Sequence, residues 1–134
     1  MNRSHEFARD LFQKAREDAR AMLVLVQSAE PADWIVGFHA QQAVEKAIKA
    51  VLANRSVEYP MTHNLSVLLD QLADLSLPLP PDAGDIPALT PFGAVLRYTT
   101  AKTPAVPDSG QATLLVERTL HWAASLLGLP PEGI

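Results

Sequence analysis

A row of polar residues follows one side of the second predicted helix, within residues 38–50. At 3.6 residues per turn, positions three or four apart share a side of the helix. Amide and ammonium donors aligned in this way could hold an anion such as a phosphate. The alternative is a solvated polar face, in which an ordinary i,i+4 ion pair between Glu45 and Lys49 contributes about 0.3–0.5 kcal/mol. The residues alone leave both interpretations open. The row consists of His39, Gln42, Lys46 and Lys49.

Arg97 is a second candidate for chemistry. It precedes Tyr98 at the predicted end of a short helix, where a loop begins. A guanidinium at such a junction could bind a phosphate or carboxylate with two hydrogen bonds. It could equally satisfy the last carbonyls of its own helix. For His63 and His121 the spacing favours structural roles, in a capped turn and near a helix end respectively.

Several kinds of site are not indicated by this sequence. There is no cysteine, and no two histidines have the i,i+4 spacing of a helical metal site. The six glycines are scattered, so no phosphate-binding loop is formed. We therefore predict no catalytic residues, no metal and no cofactor.

The charge and hydropathy of the chain exclude further classes of function. The net charge is −4, whereas proteins that coat nucleic acid generally carry a basic excess. No apolar run approaches the roughly 18 residues of a membrane span, and the first residues do not resemble a signal peptide. We expect no membrane association and a cytoplasmic location.

The elements that must position these residues are helices. Hydrophobic residues at threes and fours predict four long helices and a short fifth, arranged as an all-α bundle in one domain, residues 1–134. Phe7 is expected to open the buried stripe of the first helix, Thr62 to cap the third, and Thr90 to cap the short one. Gly128 should end the last helix. The long helices cover about 4–29, 31–54, 63–75 and 109–127.

Two connections differ in length and suggest different arrangements. The first two helices are joined by a few residues around position 30, which predicts an antiparallel hairpin. The connection from Leu77 to Pro91 is rich in proline and exceeds the roughly 12 residues usual for an idle loop. A role beyond simple connection is therefore favoured for it.

Three sequence blocks resemble the HEPN family, small helical domains found in prokaryotes and often encoded beside a minimal nucleotidyltransferase. The similarity extends over nearly the whole chain, and the block in the second helix is the most specific. The resemblance implies an up-and-down bundle, commonly a homodimer, with a polar groove between the second and fourth helices. The blocks are Phe38 with the run from Gln41 to Lys46 and Lys49-Ala50, the run from Pro60 to Leu65, and Phe92 with Arg97-Tyr98.

Transferred by position, the resemblance implies a ligand-binding groove lined by the second helix and by the Arg-Tyr pair. Further contributions are expected from four other polar residues near these blocks. The groove residues are Gln42, Glu45, Lys46, Arg97 and Tyr98, and the additional ones are His39, Lys49, His63 and Lys102.

The resemblance implies two alternative functions. One is a binding module for a nucleotide, for a separately encoded nucleotidyltransferase, or for both, as in toxin–antitoxin pairs. The other is a metal-independent ribonuclease toxin that acts on RNA, whose motif is an arginine followed four to six residues later by a histidine. Here Lys102 stands where that histidine is needed, and the next histidine is His121. A ribonuclease would have to use Arg97 with Lys102 or with His39, so the binding module is favoured.

Overall fold

The computed structural model describes residues 3–29, 33–93 and 109–130, and within them every regular element is helical. This confirms the predicted all-α bundle. A 3₁₀ turn, Ile86–Leu89, leads directly into the short helix α4. Arg97, Tyr98 and Lys102 lie outside the described residues. The helices are α1 (Arg3–Val26), α2 (Asp33–Asn54), α3 (Leu65–Asp74), α4 (Thr90–Gly93) and α5 (Ser109–Leu127).

Helices α1 and α2 form the antiparallel hairpin that the sequence predicts. Ser4, near the start of α1, is hydrogen-bonded to Ser56, just past the end of α2. Midway along the pair, Asp18 contacts Lys46. The facing surfaces are rich in buried alanine, which allows the two helix axes to approach closely. Helix α2 also packs against α3, α4 and α5, so it is the central element of the bundle.

The predicted buried stripe of α1 is wrong at its first position. Phe7 is 51% exposed, whereas its neighbour Ala8 is fully buried. Phe7 lies about 100° around the helix from Ala8, which turns its ring away from the face that packs on α2. The buried face of α1 consists of Ala8, Phe12, Ala15, Ala19 and Met22.

The predicted caps of the third and fourth helices are also wrong. Helix α3 begins later than expected, because Asn64 is its N-cap and accepts a hydrogen bond from the backbone N–H of Ser66 at 3.0 Å. Thr62 instead accepts from the N–H of Asn64, a local turn contact that competes with capping. Thr90 has helical backbone angles, and its hydroxyl accepts from the N–H of Leu65 at 3.1 Å. It therefore satisfies the first turn of α3 rather than that of α4.

Three helices end in the same way, with one residue in the left-handed region. Gly128 has φ +70 and ends α5 as predicted. The N–H of Leu129 then bonds the carbonyl of Ala124, which completes a Schellman motif. Ser56 and Ser76 adopt φ 57 and 56 after α2 and α3, positions where glycine is the usual residue.

The proline-rich connection 77–91 is packed onto the bundle. Ile86 and Leu89 are buried in the common core, and Trp122 of α5 donates a hydrogen bond to the carbonyl of Pro78 at 3.0 Å. The second half of this connection is therefore part of the fold. Among the helices described, none has the length and apolar content needed to cross a membrane.

Candidate functional site

The polar side of α2 carries two carboxylate-centred clusters. In the first, here called the Asp18 cluster, Asp18 of α1 faces His39 and Lys46 of α2. Oδ1 of Asp18 accepts from Nδ1 of His39 at 3.0 Å. Oδ2 accepts from Nζ of Lys46 at 2.6 Å. One carboxylate thus binds two side chains that are almost two helical turns apart, and it fixes α1 against α2.

The second cluster, here called the Glu45 cluster, joins Glu45 to Gln41, Lys49 and His63. Oε1 of Glu45 accepts from Nε2 of Gln41 at 2.9 Å and from Nδ1 of His63 at 2.8 Å. Oε2 accepts from Nζ of Lys49 at 3.1 Å. Gln41 in turn accepts from the amide of Gln42 at 2.7 Å and donates to the backbone carbonyl of His63 at 3.1 Å. The cluster therefore connects α2 to the turn before α3.

The Glu45 cluster lies inside the protein. Glu45 is only 4% exposed and Gln41 is fully buried. Moving a carboxylate out of water costs several kcal/mol unless donors replace the lost hydration. An amide, an ammonium and an imidazole supply those donors here. These three donors replace the hydration that the buried carboxylate loses, so the fold must keep them in position.

Helix α4 fixes the position of the buried amide. A Cβ atom on Gly93 would lie 2.6 Å from Cδ of Gln41, so only glycine fits at this contact. One turn earlier in α2, a Cβ on Gly37 would lie 2.5 Å from the ring of Phe92. These two close approaches seat α4 directly on α2 beside the Glu45 cluster.

Tyr59 completes the surroundings of Glu45. Nζ of Lys49 lies 5.4 Å from the centroid of the Tyr59 ring, within the range of a cation–π contact. Burial of the phenol, with a smaller contribution from the negative charge of Glu45, raises the pKa of Tyr59 above its usual 10.0. The phenol therefore stays protonated in the folded protein at neutral pH.

The structure shows where the described members of the predicted row lie. Lys46 and Lys49 do not point into solvent as a pair of unshared cations, because each is held by a carboxylate. The predicted i,i+4 pair between Glu45 and Lys49 is present at 3.1 Å, but the alternative of a solvated face is wrong at Glu45, whose side chain is interior. His39 and Lys46 belong to the Asp18 cluster, and His63 and Lys49 to the Glu45 cluster. The residues predicted outside the described ranges, Arg97, Tyr98 and Lys102, remain predictions.

Sequence reasoning missed Asp18. Its partners His39 and Lys46 are 21 and 28 residues away in the chain, so no local spacing relates them. The predicted hairpin did carry a signal. In an antiparallel pair of helices joined near residue 30, positions near 18 stand opposite positions near 42. An acidic residue at that level of α1 is therefore expected to form an ion pair with a cation of α2.

The charges of the two clusters balance. Asp18 and Glu45 offset Lys46 and Lys49, and the two histidines add positive charge only when protonated. Within the described parts of the chain, no group of three or more metal-ligating side chains is brought together. The accessible groups include the side chains of His39, Gln42, Lys46 and His63, which are all at least partly exposed. This surface offers hydrogen-bond donors in fixed positions, with no excess of positive charge from its described residues.

Comparison with known proteins identifies the family. The chain matches none of the curated proteins and none of the solved structures with which it was compared. A family model, described as the HEPN domain, matches residues 8–126. That range begins in α1, ends in α5 and includes both carboxylate clusters. The chain therefore belongs to the HEPN domain family.

Proposed function

We propose that the polar side of α2 is a binding site, and that the protein is a HEPN-type binding module for a nucleotide and a separately encoded minimal nucleotidyltransferase. The observation that carries this proposal is the burial of Glu45 on the central helix with three donors around it. A buried charge of this kind adds little net stability compared with apolar packing. Its value lies in fixing the positions of the polar groups next to it.

The charge balance decides what kind of ligand fits. A bare anion gains little from lysines that are already paired with carboxylates. A ligand that both donates and accepts hydrogen bonds fits better, because Gln42, Lys46 and His63 can contact it while their partners stay in place. A nucleotide has both kinds of group, and so does a mixed-charge protein surface. The extra positive charge for a phosphate would come from Arg97, which the family resemblance assigns to the groove, and from Lys102, one of the additional residues expected near it.

The setting of the module follows from the same resemblance. We propose a homodimer that acts in the cytoplasm with a nucleotidyltransferase partner, as one component of a toxin–antitoxin pair. Gly93, the last described residue before position 94, lies against Gln41. Arg97 and Tyr98 follow Gly93 by four and five residues in the sequence, and this short separation supports their assignment to the same groove.

The test is an equilibrium titration of the purified protein with ATP and GTP. Lys46→Glu should weaken saturable binding by at least about tenfold, since it places a second carboxylate beside Asp18. Lys14→Glu, on the exposed side of α1, is the matched control and should bind as the unaltered protein does. Arg97→Ala tests the predicted far side of the groove.

A second titration uses the minimal nucleotidyltransferase that the proposal expects to be encoded beside this protein. We expect a stable complex that Lys46→Glu weakens and Lys14→Glu does not. If neither nucleotide nor the nucleotidyltransferase binds, or if Lys46→Glu changes neither affinity, the binding-site proposal is wrong.

One observation favours a second candidate function, the metal-independent ribonuclease. Asp18 holds Nδ1 of His39 at 3.0 Å, and this is how a carboxylate orients an imidazole to take a proton at Nε2. Such an enzyme would cut RNA in the presence of a chelator and would lose that activity in His39→Gln and in Arg97→Ala. Intact RNA after incubation with concentrated protein would exclude it.

A further inference from the structure

The outer side of α5 forms a second polar and aromatic surface, remote in sequence from the polar side of α2. A cleft of about 510 Å³ runs between this helix and the proline-rich connection. Arg118, His121 and Trp122 line it from α5, and Pro78 and Pro81 line it from the connection. His121 and Trp122 follow Arg118 by three and four positions, so both lie on the same side of the helix as Arg118. A flat ring and two nitrogen donors are thereby brought together at one opening.

The Trp122 ring is held in place rather than left to rotate. Its Nε1 donates to the carbonyl of Pro78 at 3.0 Å, which fixes the indole against the connection. The neighbouring lining is mostly apolar, with Leu126 on the same helix and the two prolines opposite, and Ser125 adds one hydroxyl. A rigid indole beside apolar walls is a surface on which a flat aromatic ligand can stack.

The described lining of this cleft includes two basic side chains and no carboxylate, although the protein as a whole carries −4. Arg118 and His121 are the ionisable groups among its described lining residues. Arg118 is 54% exposed, and its contact with Asp82 is long, at 3.4 Å. The carboxylates of Asp82 and Asp85 line a separate cleft that also borders Arg118. The ion pair with Asp82 is made through Nη1 of Arg118, and a guanidinium has five N–H donors, so other donors of Arg118 can bind an anion that enters from the Trp122 side.

We propose that this cleft binds a nucleoside phosphate, with the base stacked on Trp122 and the phosphate held by Arg118 and His121. An aromatic ring joined to an anion matches the two halves of the cleft, the apolar end at Leu126 and the cationic end at Arg118. The helix supports this orientation, because Arg118 is farther than Leu126 from the negative C-terminal end of α5. The ligand is either a free nucleotide or the phosphorylated end of an RNA strand, which offer the same chemistry. The site is separate from the polar side of α2 and does not depend on it.

The protein has two tryptophans, which makes a direct optical test possible. In a Trp34→Phe background, Trp122 is the only tryptophan, and a base stacked on it should quench its fluorescence. AMP and a 5′-phosphorylated oligonucleotide are titrated separately. Quenching by AMP identifies a free nucleotide as sufficient, and quenching by the oligonucleotide alone identifies a strand end. Adenosine, which lacks the phosphate, should bind at least about tenfold more weakly.

Variants then test each contact. Arg118→Gln should weaken AMP binding by about tenfold, whereas Arg20→Gln, an exposed arginine on α1, should leave it unchanged. Asp82→Asn removes the competing carboxylate and should tighten binding. Trp122→Leu is placed in the Lys46→Glu background, so that the α2 site does not contribute to equilibrium dialysis of labelled AMP. It should lose the remaining binding by about tenfold or more while far-ultraviolet circular dichroism stays helical.

The two sites give separable results. Lys46→Glu should leave the Trp122 signal unchanged, and Arg118→Gln should leave binding at the polar side of α2 unchanged. The proposal is overturned if neither AMP nor the oligonucleotide quenches Trp122 at millimolar concentration. It is equally overturned if adenosine binds as well as AMP, or if Arg118→Gln and Trp122→Leu bind as the unaltered protein does. Binding that only Lys46→Glu removes would leave the α2 site standing and this one excluded.

Discussion

The Asp18 cluster and the Glu45 cluster are built from the same kinds of residue but in different surroundings. Each has one carboxylate that binds one histidine and one lysine. The side chain of Asp18 is 13% exposed and lies between two helices. That of Glu45 is 5% exposed and lies on the central helix of the bundle. The exposed fractions of the two carboxylate side chains differ little, yet the two carboxylates have different patterns of hydrogen bonds.

The deeper carboxylate has more donors from the protein. Glu45 accepts from Gln41 as well as from Lys49 and His63, while Asp18 accepts from His39 and Lys46. A carboxylate that water can still reach does not need a third donor, whereas a buried one does. The Glu45 cluster therefore maintains the fold where α2 meets the turn before α3. The Asp18 cluster leaves its lysine and histidine partly accessible for contacts.

The largest expected effect on stability comes from removing the carboxylate of Glu45. Glu45→Ala removes the acceptor for three donors and leaves the ammonium of Lys49 partly buried without its carboxylate. We expect the free energy of unfolding to fall by about 3–5 kcal/mol. Urea denaturation measures it, with Glu45→Gln as the variant that keeps the shape and one acceptor. A loss below that of Asp18→Ala would contradict the distinction between the two clusters.

A smaller loss is expected when the packing around the Glu45 cluster changes but its charges do not. Gly93→Ala places a methyl group 2.6 Å from Cδ of Gln41, so the buried amide or α4 must shift. Overpacking of this kind costs about 1–3 kcal/mol. Thermal unfolding gives the change. Gly84→Ala is the control, since a Cβ there meets no atom within 4 Å.

Removal of the Asp18 carboxylate should have a modest effect on stability. Asp18→Ala leaves Lys46 and His39 able to reach water, and we expect a loss of about 1 kcal/mol. The same variant should change nucleotide affinity at the polar side of α2, because Lys46 loses its anchor. Urea denaturation and the ATP titration together check both expectations. A loss as large as that of Glu45→Ala would mean that the two clusters are equivalent.

The smallest expected effect is on the pH dependence of stability, through Tyr59. The raised pKa of Tyr59 means that the unfolded chain gives up this proton first as the pH rises. The stability it contributes is present below pH 10.0 and is lost as the pH climbs through the folded-state pKa. Tyr59→Phe should lose less stability than the unaltered protein between neutral pH and pH values above 10.0. Urea midpoints at the two pH values measure the difference, and equal losses would show that folding does not raise the pKa of Tyr59.

Local sequence patterns were enough to predict the helices and the family. The 3.6-residue period of apolar positions predicted α1, α2 and α5, and Gly128 marked the end of α5, because these features depend on neighbours within a few turns. The short connection near residue 30 predicted the hairpin. The block from Gln41 to Lys49 pointed to the HEPN family and to the polar side of α2.

Tertiary structure decided which charges meet and which side chains are covered. Lys46 meets Asp18, 28 residues away, and Glu45 meets His63 from the turn before α3. Phe7 is exposed because of how α1 packs on α2. The hydroxyl of Thr90 accepts a hydrogen bond from α3 because α3 packs beside it. Helical spacing gives the direction in which a side chain leaves its own helix. What stands in that direction depends on how the helices pack, and hydrophobic burial summed over the whole bundle fixes that packing.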